Sequence, residues 1–102
     1  KISNVQINSI NYNFSMKKWY VYIVECADGS LYTGITTNVQ RRILEHNYGM
    51  KAAKYTRSRR PVRLVYRKEV QNRSEASKEE ARIKRLKRKE KQELVKAYIS
   101  QV

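Results

Sequence analysis

One hundred and two residues suffice for one small domain with a modest core and are too few for two. The chain carries 23 Lys and Arg against 9 Asp and Glu, a formal net charge of +14, with a pI near 10.2. An imbalance of that size points to a polyanionic partner, nucleic acid or an anionic membrane surface, and no basic amphipathic segment carries the Trp, Phe and Leu face that a membrane surface favours. The single cysteine, Cys26, excludes an internal disulfide, and no apolar run reaches the length of a signal or membrane-spanning segment, so a cytoplasmic location is expected.

Residues 1–15, KISNVQINSINYNFS, are rich in Asn, Ser and Ile, and their composition changes abruptly at Met16. The expectation is a disordered N-terminal extension, with an extra edge strand as the alternative, followed by a single domain over residues 16–102. From Trp19 to Cys26 the chain is rich in Tyr, Val and Ile, which is strand composition, and Ala-Asp-Gly-Ser then turns it into a second strand, Leu-Tyr-Thr-Gly-Ile. The length of the turn decides which side chains share a face. A two-residue loop at Asp28-Gly29 would pair Val24 with Thr33 and put Tyr22 and Tyr32 on opposite faces. A three-residue loop, with Gly29 in the left-handed position of a bulge, pairs Val24 with Tyr32 and makes Tyr22 and Tyr32 diagonal neighbours, roughly 7–8 Å apart at the backbone. The three-residue loop is the prediction.

TTNVQRRILEHNYG follows as a helix, with Thr37 or Asn38 as N-cap and Gly49 past its end. Val39 and Ile43 face the core one turn apart, while Arg42 and His46, also one turn apart, emerge together at the edge of that stripe. KAAKYTRSRRP reads as a basic loop, and VRLVYRKEV alternates as a third strand with Val62, Leu64 and Tyr66 on one face. Ser74 is the expected cap of a further helix, with Ala76, Ile83 and Leu86 on its apolar side and Glu79 and Glu80 flanking it. A last helix from about Lys89 buries Leu94, Val95, Tyr98 and Ile99. The fold class is α+β, a small three-stranded antiparallel sheet flanked by helices. Cys26, at a strand end, reads as a small buried hydrophobe.

Taken singly, each polar residue has a packing or solvation explanation: Tyr22 and Tyr32 as half-buried sheet aromatics, His46 as a satisfied edge residue, Arg42 as a solvated cation. Their order along the chain changes the reading. Tyr20-Val21-Tyr22, nine intervening residues, then Tyr32-Thr33-Gly34 resemble the two signature tripeptides of the GIY-YIG nuclease family. In that family a helical arginine stands eight residues after the glycine and, in many members, a histidine four residues later; here those positions are Arg42 and His46. A glutamate on a later helix is the family's metal ligand, and Glu-Glu-Ala-Arg-Ile-Lys supplies it as Glu80, with Glu79 as competitor. The resemblance runs over about residues 17–94 and is closest to small stand-alone bacterial members that also carry Lys-Tyr-Thr-Arg, here Lys54 to Arg57. Tyr20 stands in place of Gly in the first tripeptide and Thr33 in place of Ile in the second; the asparagine that many family nucleases carry near the site has no match. Lys87 stands where related small proteins have a helix-capping Thr or Ser, which predicts a frayed or continuous helix there.

The resemblance implies a metal-dependent endonuclease acting on DNA, in repair or recombination, with RNA as another substrate to consider. Glu80 would hold Mg²⁺ or Mn²⁺, Arg42 would neutralise the phosphate, Tyr22 would act as base, Tyr32 would orient water or phosphate, and His46 would assist proton transfer. A free phenol has a pKa near 10, so Tyr22 needs a nearby cation to act as a base. The loop residues Lys54, Tyr55, Arg57, Arg59 and Arg60 offer a basic, aromatic surface for nucleic acid, and so small a domain is expected to draw specificity from a protein partner. The alternative is a nucleic-acid-binding module that keeps the fold without efficient catalysis, which the unmatched asparagine motivates.

Overall fold

The structure, a computed structural model, describes residues 17–101. The N-terminal extension expected for residues 1–15 lies outside the described residues. Three strands, β1 (Trp19–Glu25), β2 (Leu31–Thr36) and β3 (Arg63–Val70), form one antiparallel sheet in the order β2-β1-β3. Four helices are described: α1 (Val39–Tyr48), α2 (Lys54–Arg57), α3 (Arg73–Lys84) and α4 (Arg88–Gln101). They cover both faces of the sheet. On one, Tyr22, Val24, Cys26 and Val62 pack with Tyr32, Ile43 and Leu64 beneath α1; on the other, Val21, Ile23, Val65 and Tyr66 pack with Ala76 and Ile83 of α3 and with Leu94, Val95 and Tyr98 of α4. Burial on both faces explains why central β1 reads as a continuous Val, Tyr and Ile run, with Val21 through Val24 all buried.

The three-residue hairpin forms as expected. Cys26 N–H donates to Ser30 O at 2.8 Å, Gly29 takes φ of +84°, and Val24 pairs with Tyr32 while Tyr22 pairs with Gly34. A left-handed residue at this position closes the loop with a bulge, and glycine adopts it without a Cβ penalty. The Asp28 carboxylate accepts from Ser30 N–H and from Arg59 Nε, both at 3.0 Å, tying the hairpin to the basic segment.

Asn38, one of the two expected candidates, caps α1 by accepting from Arg41 N–H at 3.0 Å. At the other end Arg60 donates to the His46 carbonyl at 2.6 Å and to that of Gly49, closing the exposed acceptors of the last turn.

Five expectations change. The segment read as a basic loop contains the short helix α2 over Lys54–Arg57. Val62 and Leu64 lie on the Tyr22 face, but Tyr66 lies on the opposite one: β3 bulges at Val65, since Ile23 pairs with Tyr66 and Val24 with Leu64, and one extra residue inverts the side-chain alternation beyond it. The cap of α3 is Asn72, whose side chain accepts from Glu75 N–H at 2.9 Å, and Ser74 sits inside the first turn. The chain breaks cleanly between α3 and α4, because the Glu90 carboxylate accepts from Lys87 N–H at 2.8 Å, the glutamate half of a capping box without the hydroxyl half. Ile99 remains 46% exposed, while Leu94, Val95 and Tyr98 pack as expected.

Candidate active site

Tyr22 is the pivot. It lies on β1 opposite Gly34, and its ring passes so close over that glycine that a Cβ there would stand 2.5 Å from the phenol oxygen. The ring is 1% exposed, and its hydroxyl lies 2.7 Å from Nε2 of His46 on α1. His46 is fully buried, with Nδ1 2.8 Å from Oγ1 of the equally buried Thr56 on α2. Tyr22 and Tyr32 each present a ring edge-on to the imidazole, at centroid distances of 5.8 and 5.4 Å. His46 was expected to emerge with Arg42 at the edge of α1; Arg42 is half-buried, and His46 is interior. The reason is that Tyr22, Tyr32 and Thr56 provide polar partners and aromatic edges on the inward side of α1, so an imidazole can be buried there without an unsatisfied nitrogen.

The electrostatics follow from this burial. Desolvation is the largest influence on Tyr22 and raises its pKa to about 12; Arg42, by hydrogen bonding and by charge, pulls the other way, and Tyr32 and Glu80 add to the rise. Tyr32, Arg42 and Glu80 therefore all act on the same phenol oxygen. His46 is lowered to about 4, first by burial and then by the charge of Arg42, with Glu45 opposing and Arg60 adding to the fall. In the resting site the proton belongs on the phenol and the imidazole is neutral.

The His46 shift predicts a pH dependence of stability. The unfolded chain binds a proton at His46 below about 6.5, whereas the folded chain resists doing so until about 4. Between those values the unfolded state holds more protons, so stability is full above pH 6.5 and falls as the pH drops, by roughly 3 kcal/mol at pH 4 from this residue. Denaturant titrations from pH 7 to 4 are expected to show that slope in wild type, and to lack the His46 component in His46→Gln.

Arg42 is anchored through Nη1 to the Glu45 carboxylate at 3.0 Å and to the Lys51 carbonyl at 2.7 Å. Glu80 comes from α3, on the other side of the sheet. Because β2 is an edge strand, the α1 and α3 layers can meet along its free edge. A cleft of about 210 Å³ opens there, lined by Leu31, Tyr32, Thr33, Tyr55, Lys84 and Lys91, and Lys84 pairs with Glu80 at 3.2 Å. A larger groove of about 450 Å³, between Leu31 and Val95 and Ile99 of α4, is lined by none of Tyr22, Tyr32, Arg42, His46 and Glu80.

Glu79 faces elsewhere. Arg82 and Lys68 engage its carboxylate at 2.7 and 3.4 Å, and its charge acts on Tyr66, on the opposite face of the sheet from Tyr22. Of the two glutamates it is Glu80 that acts on the Tyr22 hydroxyl. Among the described residues no three His, Cys, Asp or Glu gather as a cage, so the donor set is one carboxylate with phenol oxygens nearby. That set fits a hard divalent cation that keeps most of its waters and takes phosphate oxygens as further ligands.

The basic segment is engaged more with the protein than its sequence suggests. Arg59 donates to Asp28 and to the Tyr55 carbonyl and lies 3.9 Å from the Tyr55 ring centroid. Arg57 donates to the Met50 and Ala52 carbonyls, and Arg60 closes α1. Lys54 makes no ion pair among the described residues, and Tyr55, 39% exposed, stacks on Tyr32 at 6.0 Å. The sequence did not single out Thr56; its signal was a hydroxyl in the middle of Lys-Tyr-Thr-Arg, visible only once α2 is seen to lie against α1. No helix among the described residues is long and apolar enough to cross a membrane.

In this small three-stranded α+β domain one sheet tyrosine, a helical arginine, a buried histidine and a glutamate from a further helix thus all act on the hydroxyl of a second sheet tyrosine. The chain belongs to the GIY-YIG family: residues 18–93 match the GIY-YIG catalytic domain. It is 66% identical over 79 residues to a UPF0213 protein of Desulfotalea psychrophila, covering 78% of this chain and 72% of that one, and 54% identical over 80 residues to one of Staphylococcus haemolyticus, covering 78% and 96%. Among solved structures it resembles a UPF0213 protein of Bacillus halodurans, at 49% identity and TM-score 0.51 over 78% of this chain and 84% of that one. An E. faecalis protein matches at 42% identity and TM-score 0.55, covering 80% and 86%.

Proposed function

We propose that this protein is a divalent-metal-dependent endonuclease that hydrolyses phosphodiester bonds in DNA. The observation that carries the reading is the buried Tyr22 hydroxyl, held 2.7 Å from a neutral imidazole while Arg42, Tyr32 and Glu80 act on the same oxygen. A phenol with a pKa of about 12 is a poor base at rest. Arg42 favours the phenolate, and an added cation at Glu80 would favour it further, so substrate and metal arriving together would activate the group. The phenol proton moves to Nε2 of His46, leaving tyrosinate and imidazolium with no change in net charge; the tyrosinate then takes a proton from the attacking water. Tyr32 orients water or phosphate at the cleft, and Arg42, fixed by Glu45 and the Lys51 carbonyl, stabilises charge developing on the phosphoryl oxygens. Glu80 would hold Mg²⁺ or Mn²⁺, which when bound supplies charge neutralisation at the phosphate. Tyr55, Lys84 and Lys91 line the approach to this site, and the net charge of +14 favours encounter with any polyanion.

Supercoiled plasmid incubated with wild type is expected to be nicked with Mg²⁺ or Mn²⁺ and left intact with chelator. Glu80→Gln, which keeps the shape and removes the charge, is expected to cut at least 100-fold more slowly, the order of magnitude of losing a preorganised charge at the reacting centre. If both proteins bind the plasmid and neither nicks it, the domain is a binding module.

A further inference from the structure

We infer that Thr56 is a positioning residue that holds His46 as the Nδ1–H tautomer and so leaves Nε2 bare to receive the Tyr22 proton. The direction of the relay follows from both of its ends. Thr56 Oγ1 has two close partners, Nδ1 of His46 at 2.8 Å and the Ala53 carbonyl at 3.1 Å. A carbonyl only accepts, so the threonine proton goes to Ala53 and the hydroxyl oxygen must receive its second bond from a donor, which makes Nδ1 the protonated nitrogen. At the other end, Nε2 of His46 is the one hydrogen-bond partner of the phenol among the described residues, and a bare Nε2 can only accept. The phenol's own proton is then directed at Nε2, 2.7 Å away. The relay runs from Tyr22 O–H to His46 Nε2 and from His46 Nδ1–H to Thr56 Oγ1, and it ends with Thr56 O–H on the Ala53 carbonyl.

The opposite arrangement, with the proton on Nε2, would leave Thr56 donating to Nδ1 and two bare oxygens facing each other at Ala53. It would also make the phenol oxygen the acceptor from Nε2–H and leave the phenol proton without an acceptor among the described residues. When His46 takes the phenol proton, the imidazolium keeps its Nδ1–H bond to Thr56, so the ring need not turn during the transfer. Thr56 sits in α2, a helix of four residues packed on α1, and both Thr56 and His46 are fully buried. The tautomer is therefore set by the docking of α2.

The catalytic consequence rests on the nuclease reading, while the tautomer can be observed without it. His46 is the chain's one histidine, so long-range ¹H–¹⁵N correlation spectra of labelled protein report its ring unambiguously. Wild type and Thr56→Ser are expected to show a protonated Nδ1 and a bare Nε2. In Thr56→Val, which lacks the acceptor, the proton is expected on Nε2. In the nicking assay Thr56→Val is expected to lower kcat on the order of 100-fold with KM for DNA unchanged, and Thr56→Ser to restore it. A wild-type spectrum with Nε2 protonated overturns the inference, as does a Thr56→Val protein that still holds the proton on Nδ1. If Thr56→Val does not fold, wild type and Thr56→Ser still decide. Expected spectra combined with a wild type that leaves DNA intact would support the tautomer and overturn the nuclease reading.

Discussion

Tyr22→Phe is expected to reduce DNA cleavage by about 10²- to 10⁴-fold, the range for losing a positioned acid or base, with DNA binding unchanged. The ring remains, so the packing against Val24, Cys26 and Val62 is kept. What goes is the oxygen that Arg42, Tyr32 and Glu80 all act upon and that lies 2.7 Å from His46. The bare Nε2 of a fully buried imidazole loses its donor, so stability falls by about 1–3 kcal/mol, the cost of a buried unsatisfied acceptor. Nicking rates measured beside salt-dependent DNA binding separate chemistry from affinity. A Tyr22→Phe protein that cuts at the wild-type rate would remove Tyr22 from the role of base and leave His46 as the group acting on water.

Gly34→Ala is expected to be nearly as damaging although the new side chain is one methyl group. Its Cβ would meet the Tyr22 oxygen at 2.5 Å and Cζ at 2.7 Å, closer than non-bonded atoms approach. The far end of a side chain can often swing aside, but this ring is 1% exposed and hydrogen-bonded, with His46 and the strand on its other sides. Either the hairpin spreads or the phenol tips away from Nε2. The first outcome costs about 1–3 kcal/mol of overpacking, which lowers Tm on the order of 10 °C in a domain this size. The second disables the relay, and both lower the nicking rate. The second signature tripeptide thus ends in glycine because the tyrosine of the first lies across it. A Gly34→Ala protein with wild-type Tm and wild-type activity would contradict this packing.

The relation between sequence and structure is uneven in an instructive way. Hairpin geometry was legible because turn chemistry is local: Ala-Asp-Gly in three positions, with glycine where a left-handed residue belongs, sets the register of β1 and β2 and hence the shared face of Tyr22 and Tyr32. The bulge at Val65 was not legible, since Val-Arg-Leu-Val-Tyr alternates equally well without it and only pairing against β1 reveals the extra residue. The cap of α3 was misplaced by two residues because Asn72 and Ser74 are both good caps, and the choice depends on where β3 ends.

By itself the sequence determined the strong basic charge and the α+β pattern of elements, and the resemblance of Tyr20-Val21-Tyr22 and Tyr32-Thr33-Gly34 to the GIY-YIG tripeptides is what named Tyr22, Tyr32, Arg42, His46 and Glu80. The tertiary structure alone decided how those groups relate to one another. It put His46 inside instead of at the edge, because partners for an imidazole come from three other elements. It directed Glu80 toward Tyr22 and Glu79 toward Tyr66, because adjacent positions on a helix differ by about 100° and only packing selects which one faces the cleft. And it made Thr56 part of the site, because hydrogen bonds between residues distant in the chain exist only once α1, α2 and the sheet are docked, and nothing in a linear sequence encodes that distance directly.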